Sequence, residues 1–295
     1  MRKPIERTST ITVEMYALLF DCCEKYYDNL AWSFPNMCPD GHGCSGLDRE
    51  KFNNTLIFDI PTLYRDTYNN NISKPQYRGY NDQADNFDQY ALLDFIEFIG
   101  QNCKDFTLGE FHSYFGHHHF NLLETAKVFE KFRQEINSIF EKTGLLFTLT
   151  SDKIIERVIE NTVLSNKVES DIKAIGELGT KNLLEEAINL FKQPNPVKSK
   201  YAVEKIWDAF ERLKSFYVEF DKKNSVSKII DDMGNKKTEF VALFGDEFTA
   251  LTNIGNKFMI RHHETDRIEI TDDRHYDYFF YRCLSLISLA IHYLR

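Results

Sequence analysis

The feature that most constrains the fold of this chain is its helical periodicity. Apolar residues recur at steps of three or four in four long segments, which are 122–140, 203–217, 240–254 and 276–291. Such spacing puts the apolar side chains on one face of an α-helix. Gly144 provides a C-terminal stop for the first helix, and Asp272 and Asp273 offer N-terminal caps for the last. The sequence therefore predicts a mainly α protein.

Residues 145–158 depart from this pattern. The run LLFTLTSDKIIERV contains two β-prone stretches around Ser151 and Asp152, which predict a small β-hairpin. The polar stretches 35–46 and 64–85 are typical of long loops. A further polar stretch begins at Asp221 and separates the 203–217 helix from the last helices. We therefore expect a helical N-terminal domain over 1–220 and a helical C-terminal domain over 221–295.

Composition and motifs exclude several classes of function. The 36 Lys and Arg residues against 45 Asp and Glu give a net charge of -9, which argues against nonspecific coating of nucleic acid but leaves a local basic site open. The phosphate-loop, dinucleotide and nucleophile-elbow motifs are absent, so we expect no nucleotide cofactor. The N-terminus lacks signal-peptide character, and the apolar run 283–294 is too short for a bilayer. We expect a soluble, cytoplasmic protein that does not enter membranes.

The segment 261–267, with the sequence RHHETDR, concentrates acid–base and cationic groups. Cleavage of RNA by its own 2′-hydroxyl needs a base, an acid and a fixed positive charge. Histidine serves the first two roles near neutral pH, and the arginine fork binds two phosphate oxygens. Arg261, His262 and His263 are therefore candidate catalytic residues, and Lys257 and Arg267 are candidate substrate-binding residues.

A structural interpretation of the same segment stays open. Cationic side chains at the C-terminus of a helix complement its dipole. They also form ordinary ion pairs with nearby acids, here Glu264, Asp266 or Asp273.

Three stretches resemble a known family: IIERVIEN at 154–161, KYAVEKIWDAFERLKSFY at 200–217 and NKFMIRHHETDRIEI at 256–270. They are similar to AbiJ-type bacterial abortive-infection proteins. The resemblance implies a helical N-terminal domain followed by a C-terminal HEPN-like helical bundle. Many HEPN proteins are metal-independent endoribonucleases that act as dimers through an Arg-x(4–6)-His motif. In this chain Lys257 occupies the arginine's spacing to both His262 and His263, and Arg261 directly precedes them.

Two functions follow from the resemblance. The first is a phage-defence endoribonuclease that cleaves RNA at an Arg-His-His site shared across a homodimer and responds to a phage-derived activator or a defence-system partner. The second is a non-catalytic HEPN-type module for dimerisation or sensing. In either case we expect the final helix, with Ile287, Ala290, Ile291 and Leu294, to supply both core and dimer contact.

A second cluster of polar residues surrounds the run CPDGHGC. Cys38, His42 and Cys44 are close enough in sequence to share a zinc ion, which would make the chain a zinc-stabilised interaction protein. The same run is also typical of a turn that leaves His42 exposed. We interpret the three histidines 117–119 as a polar turn before the first long helix, with Asn121 as its cap.

Overall fold

The computed structural model describes residues 5–66, 70–78, 83–84, 86–159, 164, 166–260 and 267–294. Within it the chain forms two compact units, Met1–Val158 and Ile159–Arg295. Each unit has its own hydrophobic core. The protein is mainly helical, as the sequence predicts.

The first unit contains four α-helices among its described residues. They are α1 (Val13–Glu24), α2 (Arg49–Asp59), α3 (Gln89–Asn102) and α4 (Val128–Thr143). Thr12, Asp48 and Asp88 cap the first three by accepting hydrogen bonds from backbone N–H groups of the first turn. Gly144 ends α4 with φ 78°, a left-handed conformation that glycine adopts without steric cost.

Short antiparallel strands complete the first unit. A sheet in the order β1-β2-β6-β5 is formed by β1 (Pro35–Met37), β2 (Cys44–Leu47), β5 (Phe106–His112) and β6 (His117–Leu122). Two further pairs are β3 (Tyr77–Arg78) with β4 (Gln83–Ala84), and β7 (Phe147–Leu149) with β8 (Ile155–Arg157). The last pair confirms the hairpin predicted within 145–158.

Aromatic residues form a large part of the core of the first unit, beside leucines and isoleucines. Phe95 on α3 and Phe132 on α4 are fully buried, and Tyr16 on α1 contacts Phe87 edge-to-face at 5.1 Å. These helices pack on one another. Phe34, just before β1, is part of the same core, and Leu47 of β2 packs against it.

The described part of the second unit is entirely helical apart from turns and one isolated bridge. Its helices are α5 (Asn166–Lys173), α6 (Leu178–Lys192), α7 (Pro196–Leu213), α8 (Lys222–Gly234), α9 (Thr238–Lys257) and α10 (Asp273–Tyr293). Asn195 caps α7 and Pro196 occupies its first turn. Trp207 is fully buried, and its indole N–H donates to the carbonyl of Leu251 at 3.2 Å. Phe191 and Phe280 stack with ring centroids 3.9 Å apart.

Several expectations need correction. The first long helix begins at Val128, because 117–122 forms strand β6, and Asn121 lies in that strand rather than at a cap. Residues 35–46 contain β1 and part of β2 rather than only a loop. The chain divides at Val158 rather than near 220, because α7 packs against α6 and α10 within the second unit. No described helix is both long and apolar enough to cross a membrane.

Candidate functional site

The turn between β1 and β2 positions Cys38. Its backbone N–H donates to the carbonyl of Gly43 at 3.0 Å, and the N–H of Gly41 donates to the Cys38 carbonyl at 2.9 Å. Gly41 and Gly43 have φ of 77° and 85°, values that L side chains rarely adopt. The turn thereby buries the Cys38 side chain, whose residue is 2% exposed.

The β5–β6 hairpin positions three histidines. His112 ends β5 and is paired with His117, the first residue of β6. Successive side chains of a strand point to opposite faces, so His117 and His119 share one face and His118 lies on the other. His118 is exposed, and its Nδ1 lies 3.1 Å from the Gly109 carbonyl oxygen.

These elements bring Cys38, His112, His117 and His119 together. Each residue offers one ligand atom, and the four atoms all lie within 4.8 Å of one another. Cys38 Sγ and His112 Nδ1 are 3.4 Å apart. The His112 ring centroid is 5.8 Å from that of His117 and 5.4 Å from that of His119. One thiol and three imidazoles form a donor set typical of zinc.

Asp40 lies beside this cluster. Its Oδ2 is 3.2 Å from His112 Nδ1, and its Oδ1 accepts the backbone N–H of His42 at 2.7 Å. The His42 N–H holds the pKa of the Asp40 carboxyl below its usual range, and the Cys38 thiol and the neighbouring His112 contribute to the same direction. Burial raises the pKa of the Cys38 thiol. The Asp40 carboxylate thus adds negative charge next to the nitrogen of His112 that faces Cys38.

Two atoms of the cluster have no hydrogen-bond partner within the described residues. They are Nε2 of His117 and Nε2 of His119, both fully buried. A buried polar atom left without a partner costs about 1–3 kcal/mol. A bound cation is one way to satisfy such nitrogens.

Close packing holds the histidine rings in place. A Cβ on Gly43 would lie 3.2 Å from His119 Nδ1, so the absence of a side chain allows the ring to approach the turn. The Phe115 ring meets His112 edge-on at 4.8 Å and covers His117 at 6.1 Å.

The cluster differs from the zinc set suggested by sequence. Of Cys38, His42 and Cys44, only Cys38 belongs to it. The Cys44 Sγ donates to the Gly46 carbonyl at 3.2 Å, and His42 is exposed on the turn. The other ligands come from the hairpin, which corrects the interpretation of 117–119 as a turn. The sequence signal for these ligands is the run of three histidines: in a β-strand, the first and third, His117 and His119, lie on the same face.

The Arg-His-His segment is described only at its flanks. Arg261, His262 and His263 lie outside the described residues. Lys257 is the exposed last residue of α9, and its carbonyl accepts the N–H of Ile268 at 3.0 Å. Arg267 donates through Nη1 to the carbonyl of Asn256.

The two flanks are therefore paired with each other. Phe258 and Ile268 form a parallel bridge, and Met259 donates to the Ile268 carbonyl at 2.9 Å. Ile260 and Ile270 are buried in the core of the second unit. This pairing brings the two candidate substrate-binding residues, Lys257 and Arg267, to the C-terminal end of α9.

The second unit also contains a cavity of about 570 Å³. Its lining is mainly apolar and includes Leu213, Phe216 and Ile291, and Glu177 is one of its polar residues. That carboxylate is engaged by Arg212 at 2.8 Å and by the first turn of α6. The lining includes neither Lys257 nor Arg267.

The first unit thus defines a class of protein: a helical domain whose small antiparallel sheet carries a Cys-His cluster. Comparison with known families makes the assignment more specific, because the sequence profile of AbiJ N-terminal domain 4 matches residues 5–174. The chain belongs to this AbiJ family and is a defence-associated protein of the abortive-infection type. No curated protein and no solved structure matches the chain.

Proposed function

We propose that this protein defends bacteria against phage by cleaving RNA through Arg261, His262 and His263, without a metal ion in the reaction. The observation that carries the proposal is the AbiJ family match over residues 5–174. In this proposal the second unit is the HEPN-like bundle. Its helical composition supports that assignment.

The chemistry assigns one role to each residue. Arg261 stabilises the negative charge that develops on the non-bridging phosphate oxygens in the transition state, and the two histidines act as base and acid. His262 is the base, since it lies at the shorter spacing from Lys257. Lys257 and Arg267 bind RNA phosphates, which their position at the paired flanks of the segment supports.

The site is shared by two protomers in this proposal. Of the final-helix residues expected to supply the dimer contact, Ile287, Ala290 and Ile291 are buried in the core of their own unit, and Leu294 is partly exposed. Helix α9 offers apolar surface instead: Phe240 is 46% exposed and Leu243 is 50% exposed. A two-fold contact on this strip with the two α9 helices side by side and parallel would bring both copies of the segment to the same end and so double the histidines available to one RNA.

The test compares alanine variants of the segment with a matched control. Arg261→Ala, His262→Ala and His263→Ala should remain folded, with stability losses of about 1 kcal/mol or less. At least Arg261→Ala and one histidine variant should lose about 100-fold or more of the cleavage rate. His275→Ala, an exposed histidine on α10, should cleave like the parent. The products should carry 2′,3′-cyclic phosphate ends.

Three outcomes would overturn the proposal. All three variants could remain as active or as toxic as the parent. They could lose activity only by unfolding, as judged by circular dichroism. Light scattering could show a monomer at tens of micromolar with and without RNA, which would exclude the shared site. A dimer without cleavage would favour the non-catalytic module.

A further inference from the structure

We propose that Cys38, His112, His117 and His119 bind one Zn²⁺ ion, and that this ion joins the β1–β2 hairpin to the β5–β6 hairpin. The proposal concerns the first unit and is independent of the ribonuclease assignment. On binding, the Cys38 thiol releases its proton to solvent and coordinates as a thiolate. Each imidazole coordinates through an unprotonated nitrogen.

The ligand distances fit a tetrahedral ion after a small closing movement. Zinc binds sulfur at about 2.3 Å and imidazole nitrogen at about 2.0–2.1 Å, so tetrahedral ligands lie about 3.3–3.7 Å from each other. The Cys38 Sγ to His112 Nδ1 distance of 3.4 Å is already in this range. The widest separation in the set is at most 4.8 Å, which needs at most about 1–1.5 Å of closing.

The number and type of ligands indicate a structural ion. Four protein ligands fill a tetrahedral shell and leave no position for substrate or water, which is the arrangement of structural zinc sites. Sulfur and nitrogen donors disfavour Mg²⁺ and Ca²⁺, which prefer oxygen. The two buried Nε2 atoms of His117 and His119 become satisfied if they face the ion.

The topology explains what the ion does. Strands β2 and β6 join the two hairpins, and their register contains one residue pair, Cys44 with Phe120. Cys38 belongs to one hairpin and the three histidines to the other. An ion bound by all four therefore cross-links the two hairpins at the pair of strands with the fewest paired residues in this sheet.

Asp40 and Gly43 support the ligands without belonging to the set. The Asp40 carboxylate lies 3.2 Å from His112 Nδ1, the nitrogen that also faces Cys38. Once that nitrogen has lost its proton to bind the ion, the carboxylate contributes negative charge beside the cation. Gly43 leaves room for the His119 ring, since a Cβ there would lie 3.2 Å from Nδ1.

The first experiment uses the untagged full chain, so that no added histidines bind metal. After purification without added metal, elemental analysis should find about one zinc per chain. Stripping with chelator should lower the melting temperature, and stoichiometric Zn²⁺ should restore it. A folded chain that holds no zinc and gains no thermal stability from it overturns the proposal, as does stoichiometric copper or nickel in place of zinc.

The second experiment replaces ligands and matched non-ligands. Cys38→Ser and His117→Gln should lose zinc, whereas His118→Gln and His42→Gln should keep it. With Co²⁺ as probe, the parent should show a thiolate-to-cobalt absorption that Cys38→Ser lacks. Equal loss of zinc in His118→Gln would overturn the ligand assignment. Because the cobalt spectrum of the parent needs no variant to fold, it tests the cysteine ligand even if the variants misfold.

A pair of glycine variants tests the geometry. Gly41→Ala and Gly43→Ala impose similar backbone strain, since both positions have positive φ. Only the Gly43 methyl would meet His119, while nothing lies within 4 Å at Gly41. Gly43→Ala should therefore weaken zinc affinity about 10-fold or more relative to Gly41→Ala. Equal affinities would contradict the position assigned to His119.

Discussion

At the scale of single residues, Glu177 combines two stabilising roles. Its carboxylate caps α6 by accepting from Gly179 N–H and Thr180 N–H, and it binds Arg212 through two guanidinium nitrogens. The hydrogen bonds from Arg212 lower the pKa of Glu177, and the cap bonds act in the same direction. A carboxyl with a depressed folded-state pKa contributes stability above its unfolded pKa of about 4.3 and loses it as pH falls through the folded value.

We therefore expect Glu177→Gln to be less stable than the parent at neutral pH by about 1 kcal/mol, the usual loss at an N-cap. The difference should shrink as the pH falls below about 4. Urea unfolding at a series of pH values measures both. Glu186→Gln, which removes a more exposed carboxylate paired with Lys205 at 2.9 Å, should change stability little. A pH-independent loss in Glu177→Gln would exclude the charge as its cause.

At the scale of elements, the contact between α7 and α9 depends on Gly255. A Cβ there would lie 2.6 Å from Trp207 Nε1 and 2.7 Å from Cδ1, and the buried indole is also hydrogen-bonded to Leu251. Gly255→Ala should destabilise by about 1–3 kcal/mol through overpacking, although alanine favours helix. Gly245→Ala in the same helix meets nothing within 4 Å and should stabilise by up to about 1 kcal/mol. Urea midpoints that rise in both variants would contradict this contact.

The elements also show what sequence could predict. The helices α7, α9 and α10 and the β7–β8 hairpin follow from local sequence patterns, and the start of α10 also follows from the capping residue Asp272. The periodicity predicts a helix from residue 122, whereas α4 begins at Val128. The sequence HHHFNL gives little sign of strand β6, because it is short and its three histidines all count as polar, which hides the alternation of polar and apolar residues expected of a strand. The Cys-His cluster could not be assembled from sequence, because Cys38 and His112 are separated by 74 positions and meet only through strand pairing.

At the scale of the whole molecule, the two cores are separate clusters of buried residues. If zinc joins the hairpins, its addition should slow amide hydrogen exchange in 35–47 and 106–122. Exchange in α7 and α9 should stay the same, because their protection depends on the second core. Exchange measured by mass spectrometry with and without Zn²⁺ tests this. Equal protection in both units would show that the ion acts on the whole chain.

The paired flanks of the Arg-His-His segment bear on which amino-acid substitutions this protein can accept between them. The bridge between Phe258 and Ile268 and the burial of Ile260 and Ile270 secure the chain on both sides of residues 261–266. Substitutions between those anchors leave the anchors themselves unchanged. We therefore expect saturation mutagenesis of 261–266, with phage defence and thermal stability measured for each variant, to show losses of defence without matching losses of stability.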